Sequence, residues 1–451
     1  MNSKTTMNRL FVSAGLVALS AATLESAMAD DLLGDATGPK YWSVGATLRG
    51  FYDDNYDTTS VNQRSSFGVE VLPTVSAHVP LQQTDFGIRY TYGFYYYADR
   101  ENLDQKAYDQ THQVDLWLDH SFNERWRSQI TDTFVDGQEP ELLTPNPVTG
   151  LATPYRVNGD NISNHGGIGL DTDWTRLFAT SLTYENAYYN YSNSGANVIN
   201  DTVMTGGLAG PSLAGILDRI EQDVALDLKW HIQPETTVFI GYQFSWVNFD
   251  GNEPIAVVTV PSMVNPLIYT SQDRNYMTHY GYIGLEQDFT PNLSATIRVG
   301  ASYNDVYNDP LATETYWNPY VDLALSYTYL PGSYVQLGFT HDVGPTDQVA
   351  PNGEGQITLD AENSVIYIDV NHHITRRLIG TVIGRVQYTS YNGGLASSED
   401  TTDYSLGINL SYEINPHVSV DVGYNYDDVV SDITSYGYTR NRVYLGLTAV
   451  Y

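Results

Sequence analysis

Cysteine is absent from the 451 residues. Its absence excludes a disulfide scaffold, a thiolate metal site and a thiol nucleophile. Bases are scarce, with 21 Lys+Arg against 53 Asp+Glu and a formal charge of −32. A nucleic-acid partner needs a basic face, so that class is excluded too. The only long apolar run lies at the N-terminus, which excludes a helical membrane protein. Charged residues are few, at 16%, while aromatics reach 13%; a disordered acidic tail has the reverse composition. No G-x-S-x-G spacing sets out a nucleophile; no catalysis and no cofactor are expected, with a hydrolase triad assembled across strands left as an open alternative.

The N-terminus carries an address. Lys4 and Arg9 form a basic start, Leu10 to Ala22 an apolar core too short to span a bilayer comfortably, and Ala27-Met28-Ala29 a small-residue cleavage site. Residues 1–29 therefore read as a cleaved secretory signal peptide, with Asp30 opening the mature chain. Residues 30–40 are expected as a short periplasmic segment.

From residue 41 to 451 the dominant period is two, the spacing of a half-buried strand. Tyr404, Leu406, Ile408, Leu410, Tyr412 and Ile414 share one face; Ser405, Gly407, Asn409, Ser411 and Glu413 share the other. Leu293 to Tyr303 and Val418 to Tyr426 repeat the pattern, and eighteen such segments can be marked. Eight tight turns join them in pairs, among them Asn123-Glu124-Arg125, Thr290-Pro291-Asn292 and Asn415-Pro416-His417. Asn, Pro and Gly set turn dihedrals. The nine opposite connections are longer and polar. Short turns at one rim and long loops at the other predict an all-β fold: a transmembrane antiparallel up-and-down β-barrel of about 18 strands. Aromatics near strand ends, such as Trp42, Trp126, Trp230 and Phe289, fit interfacial girdles. The unbroken meander lacks the long crossovers of a soluble Greek-key sandwich.

The final strand, Val443, Leu445, Leu447, Ala449 and Tyr451 with small or polar residues between, resembles the C-terminal signal of outer-membrane barrels, with Tyr451 as the terminal aromatic. Together with the signal peptide, the Tyr-rich acidic strands and the Pro/Asn turns, it resembles the β-barrel porin families of Gram-negative bacteria over essentially the whole mature chain. The resemblance implies residence in the outer membrane, with its lipid and lipopolysaccharide and the barrel-assembly machinery as partners, and small polar solutes as cargo. The strand count is similar to that of the sugar-specific and the basic-amino-acid porins, and no motif selects one of them or an oligomeric state.

With apolar faces outward, the positions expected to line the pore are Glu70, Arg89, Asp115, Asp119, Arg127, Asp171, Glu185, Asp227, Lys229, Arg298, Asp322, Arg385, Glu413, Asp421 and Arg442. Acids exceed bases there, which predicts a water-filled channel with a modest cation preference. Tyr95, Tyr276, Tyr280 and Tyr282 are inward rings that could stack on sugars or simply fill the wall. Loops 137–161 and 192–218 are the expected constrictions, since long loops are often functional. Asp53, Asn55 and Asp57 place oxygen atoms at alternate positions, a weak Ca²⁺-like pattern without the Gly and distal Glu of an EF-hand; a solvated acidic loop explains them better. A non-conducting barrel for adhesion, surface anchoring or polysaccharide export stays open as the alternative.

Overall fold

A computed structural model describes residues 41–100, 106–137, 161–192, 212–258, 264–311, 314–349, 351–352, 354–433 and 436–451. The expected signal peptide, 1–29, and the segment 30–40 lie outside the described residues. The strands are β1 (Trp42–Asp53), β2 (Ser66–Pro80), β3 (Thr84–Tyr97), β4 (Tyr108–Ser121), β5 (Trp126–Gly137), β6 (Asn161–Asp173), β7 (Phe178–Tyr191), β8 (Arg219–Gln233), β9 (Thr236–Phe249), β10 (Pro254–Val258) and β11 (Leu267–Thr270). They continue with β12 (Tyr276–Thr290), β13 (Leu293–Val306), β14 (Glu314–Leu330), β15 (Ser333–Gly344), β16 (Thr358–His373), β17 (Leu378–Gly393), β18 (Asp400–Asn415), β19 (Val418–Ser431) and β20 (Tyr438–Val450).

Eighteen of them, all but β10 and β11, make one antiparallel sheet. Each pairs with the next in chain order, and β9 pairs directly with β12. The ring closes where β1 meets β20, in register from Gly45↔Val450 to Asp53↔Arg442. Closure is what lipid requires, because an open strand edge there would leave backbone N–H and C=O groups unpaired. The last residue belongs to the closure: Val44 and Tyr451 exchange both backbone hydrogen bonds, at 2.9 and 2.8 Å.

The alternation sorts the two faces of the wall. In β1, Trp42, Val44, Ala46 and Leu48 are exposed while Thr47, Phe51 and Asp53 are buried. In β20, Val443, Leu445 and Leu447 are exposed while Arg440 and Arg442 are buried. The exposed face is apolar all round the ring, the inverse of a soluble protein and the pattern lipid selects. Aromatics meet at the turn rim, with Trp126 edge-on to Trp174 at 5.5 Å and Trp42 beside Tyr451 at 6.1 Å. Others meet nearer the loop rim, such as Tyr303 with Trp317 at 5.1 Å.

The eight expected hairpin turns all fall between strands. Several strands run longer at the loop end than the alternation marks: β14 begins at Glu314, β16 at Thr358, β18 at Asp400 and β20 at Tyr438. The physical reason is that apolar alternation records only the stretch facing lipid. Ladder hydrogen bonding continues past it into the aqueous rim. At the same rim, β10 and β11 form a separate hairpin inside the β9–β12 connection, a stretch read from sequence as plain loop. The short helix α1 (Leu213–Leu217) ends the β7–β8 connection; the Ser212 hydroxyl caps it by accepting from the Gly215 N–H at 2.9 Å.

Candidate pore

Some polar side chains meet across strands that are not neighbours. Arg49 of β1 donates from Nε to Asp421 of β19 at 2.9 Å, passing β20. Arg442 of β20 reaches Glu70 of β2 at 3.3 Å, passing β1. Arg298 of β13 lies 3.9 Å from Asp227 of β8, with β9 and β12 between them. Such convergence is possible only on the concave side of a ring, so these groups face inward.

Several ionic groups result among the described residues. At the closure, Glu70 sits between Arg49 and Arg442, both 3.3 Å away, and Asp421 takes the other side of Arg49. The rings of Tyr444 and Phe51 lie under the two guanidinium groups, at 4.9 and 4.0 Å. On β3 and β4, Arg89 pairs with Asp115 at 3.0 Å, which also accepts from Gln113 at 2.9 Å. On β8 to β14, Arg298 pairs with Asp322 at 2.7 Å, and Tyr282 donates to Asp227 at 2.8 Å. Lys229 pairs with Glu286 at 2.9 Å, and Arg127 with Asp173 at 3.4 Å near the turn rim. A glycine makes room for one of the rings: a Cβ on Gly284 would stand 2.0 Å from Phe239, the ring over which Arg298 lies at 5.4 Å.

Of the remaining expected positions, Asp119, Asp171, Glu185 and Glu413 have no ion-pair partner within 4.0 Å among the described residues. Neither does Arg385, whose guanidinium instead donates to Gln387. Tyr276, Tyr280 and Tyr282 are buried, the last two against Tyr320 and Phe239. Packed this way they act as wall, with little ring face left for a sugar.

The Asp53, Asn55 and Asp57 triplet is committed elsewhere. Asp53 is fully buried and accepts from Arg440 Nε at 2.8 Å and from the Asn55 N–H at 3.1 Å. The Asn55 amide donates to the Thr59 and Thr439 carbonyls, both at 2.9 Å, and Asp57 lies 3.4 Å from Arg64. Among the described residues no group of three or more His, Asp or Glu could hold a metal ion.

Sequence reasoning missed Arg49, although it lies on the polar side of its strand between Leu48 and Gly50; alternation alone would have found it. It also missed the loop packing at the mouth. Of the two expected constrictions, 138–160 and 193–211 lie outside the described residues. Other segments meet at the loop rim. Ile255, Ala256 and Val258 of β10 and Tyr269 of β11 pack with Val247, Phe249, Tyr276, Val306, Ile357 and Leu359 in one buried cluster. Ile216 and Leu217 of α1 pack on Tyr191, and Val349 touches both groups. Arg274, fully buried, donates to the Ile216 and Thr346 carbonyls. Two acids in these connections are held above the usual carboxylate range by burial. Asp218 is pushed up to about 6, opposed by the 2.6 Å bond from the Tyr191 N–H and reinforced by Asp250 and Glu253. Asp347 is also raised, against the hydrogen bonds it accepts from Gln348 and Tyr436 at 3.0 Å.

A closed antiparallel ring of eighteen strands, apolar outside and ionic inside, defines an outer-membrane β-barrel. Residues 34–451 match the family described as "Putative beta-barrel porin 2", and the chain belongs to that family. It is a porin-like protein of the Gram-negative outer membrane. Among solved structures it is similar to OccAB4 of Acinetobacter baumannii, with 11% identity, 91% of this chain and 99% of that one covered, and a TM-score of 0.41. It is similar to a BenF-like porin from Pseudomonas fluorescens Pf-5, with 10% identity, the same coverage and a TM-score of 0.43. Pseudomonas aeruginosa OpdK with vanillate matches at 11% identity, again over 91% and 99%, with a TM-score of 0.42. Likeness this loose says nothing about the solute. No curated protein matches the sequence.

Proposed function

We propose that the protein is a passive diffusion channel for small hydrophilic solutes, with a modest preference for cations. The pore is lined by the closure group of Arg49, Glu70, Asp421 and Arg442, by Arg89 and Asp115, and by the Arg298, Asp322 and Asp227 group. The observation that carries the cation preference is an imbalance. Among the described inward positions, Asp119, Asp171, Glu185 and Glu413 have no basic partner within 4.0 Å, whereas Arg385 is the one strand cation without an acidic partner. Paired charges largely cancel at a distance; the unpaired surplus sets the sign of the potential that a permeating ion meets.

The chain reaches the outer membrane through its N-terminal signal peptide. Tyr451, at the end of the strand that closes the ring, is the terminal aromatic that the barrel-assembly machinery engages. Acidic loops at the outer rim bridge to lipopolysaccharide through divalent cations. The route is one of exclusion by bore, biased by wall charge, and it requires no cofactor. Purified protein in a planar lipid bilayer tests the reading. Discrete conductance steps support the channel. Persistent silence from correctly folded protein favours the adhesion, anchoring or polysaccharide-export barrel instead.

A further inference from the structure

The buried arginine at the loop rim has a topological position that none of the pore charges shares. Arg274 lies in the connection between β9 and β12, just before β12 begins. Its guanidinium donates to the carbonyl of Ile216, at 3.1 Å, in the connection between β7 and β8. It donates also to the carbonyl of Thr346, in the connection between β15 and β16. In the ring, β9, β12, β13 and β14 stand between β8 and β15. One side chain therefore joins loops that rise from well-separated parts of the wall. From Thr346 the path continues to its neighbour Asp347, which accepts from the Tyr436 hydroxyl at 3.0 Å. Tyr436 belongs to the connection between β19 and β20, nearly opposite β7 and β8 in the ring.

A side chain bonded to both the β7–β8 and the β15–β16 connections, with β9, β12, β13 and β14 between them, spans a chord of the loop rim. Its apolar backing is dry: Val349 touches both the β10–β11 hairpin cluster and the α1 cluster, and the Phe249 ring lies under the Arg274 guanidinium at 4.4 Å. Arginine suits the role because its planar fork donates in two directions at once, which lysine cannot do with the same geometry.

We propose that Arg274 is a positioning residue that sets the size limit of the channel. It clamps residues 212–218 of the β7–β8 connection and 345–349 of the β15–β16 connection into a strap over the outer mouth, so that solutes enter only through the part of the opening that the strap leaves. This rests on the channel reading above. The strap itself, however, can be tested without any conductance.

The experiment uses the full-length protein reconstituted in lipid, as wild type and as Arg274→Met, Arg274→Lys and Arg64→Ala. Met keeps the length and apolar stem but donates nothing; Lys keeps the charge without the fork. Arg64, an exposed loop cation beside Asp57, serves as the control. Folding is checked by the heat-dependent shift of the barrel on an unboiled gel. Two readouts follow: the smallest poly(ethylene glycol) that fails to enter the pore, and the rate at which an added protease cuts within 344–357. The expected result is that Arg274→Met raises the polymer cut-off and the conductance, by about twofold for the latter, and speeds cleavage, with Arg274→Lys between it and the wild type and Arg64→Ala unchanged. A folded Arg274→Met barrel with the wild-type cut-off overturns the proposal. If the wild type itself conducts nothing, the channel reading fails by itself; faster cleavage of Arg274→Met then still supports the clamp, and unchanged cleavage overturns it.

Discussion

Two regions of the molecule use the same side chain in opposite settings. At the closure of the ring, Arg49 remains about a quarter exposed, at 27% of its side chain, between Glu70 and Asp421. At the loop rim, Arg440 and Arg274 are sealed, Arg440 on Asp53 and Arg274 on backbone carbonyls. Water decides what each arginine does. A wetted ion pair is screened and contributes little to stability, but its charges are felt by passing ions. A dry one is felt by no solute, and breaking it leaves a buried charge uncompensated.

The largest effect that contrast implies is on stability. Arg440→Met strands the Asp53 carboxylate in a dry site and should destabilise the barrel by about 3–5 kcal/mol. Reversible unfolding in urea from lipid vesicles measures it; a loss below about 1 kcal/mol would put the two regions in the same class. Next comes selectivity. Glu70→Gln combined with Asp421→Asn leaves the part-exposed Arg49 and the buried Arg442 without these acidic partners, and should lower the cation-to-anion permeability ratio by about twofold while the barrel still folds. Reversal potentials under a salt gradient provide the ratio, and an unchanged value would mean that these charges are not felt in the pore.

A smaller effect concerns pH. Burial holds Asp218 at about 6 in the fold, above the ordinary carboxylate value of 3.8. Its ionised form is therefore the disfavoured one in the packed loop. The sign follows from linkage: the packing is at full strength below pH 3.8 and weakens as pH rises through 6. The charged groups facing it are Asp250, Glu253 and Arg219, and raised Asp347 acts in the same sense. Protease cleavage within 212–218 should slow as pH falls from about 6 to 4, and Asp218→Asn should flatten the profile. The smallest effect belongs to Arg127→Gln. Its partner Asp173 lies 3.4 Å away, and both side chains are more than a third exposed at the turn rim. A change of at most about 1 kcal/mol is expected in the same urea measurement.

The wall was legible in the sequence because lipid imposes a single rule on every strand. Leu406, Ile408 and Leu410 must face out, so period two and the turn residues between segments located all eighteen strands. What the rule does not cover was not legible. Strand ends beyond the lipid, such as Glu314 to Tyr320, follow no apolar alternation that would separate them from loop. Ion partners depend on register and shear: nothing local to Arg298 points to Asp227, because β9 and β12 lie between their strands. The rim clusters join connections far apart in the chain, as Ile216, Arg274 and Thr346 do. A local cue did exist for one of them, the run Ile255-Ala256-Val257-Val258 in an otherwise polar connection, which marks a stretch that must find a partner.

The most direct test of the central claim, a water-filled bore with surplus acid on its wall, is the reversal potential of the wild-type protein in a planar bilayer under a tenfold potassium chloride gradient. The potential should carry the sign of potassium moving down its gradient and shrink as pH falls through the carboxylate range. A potential of the chloride sign at neutral pH would contradict it.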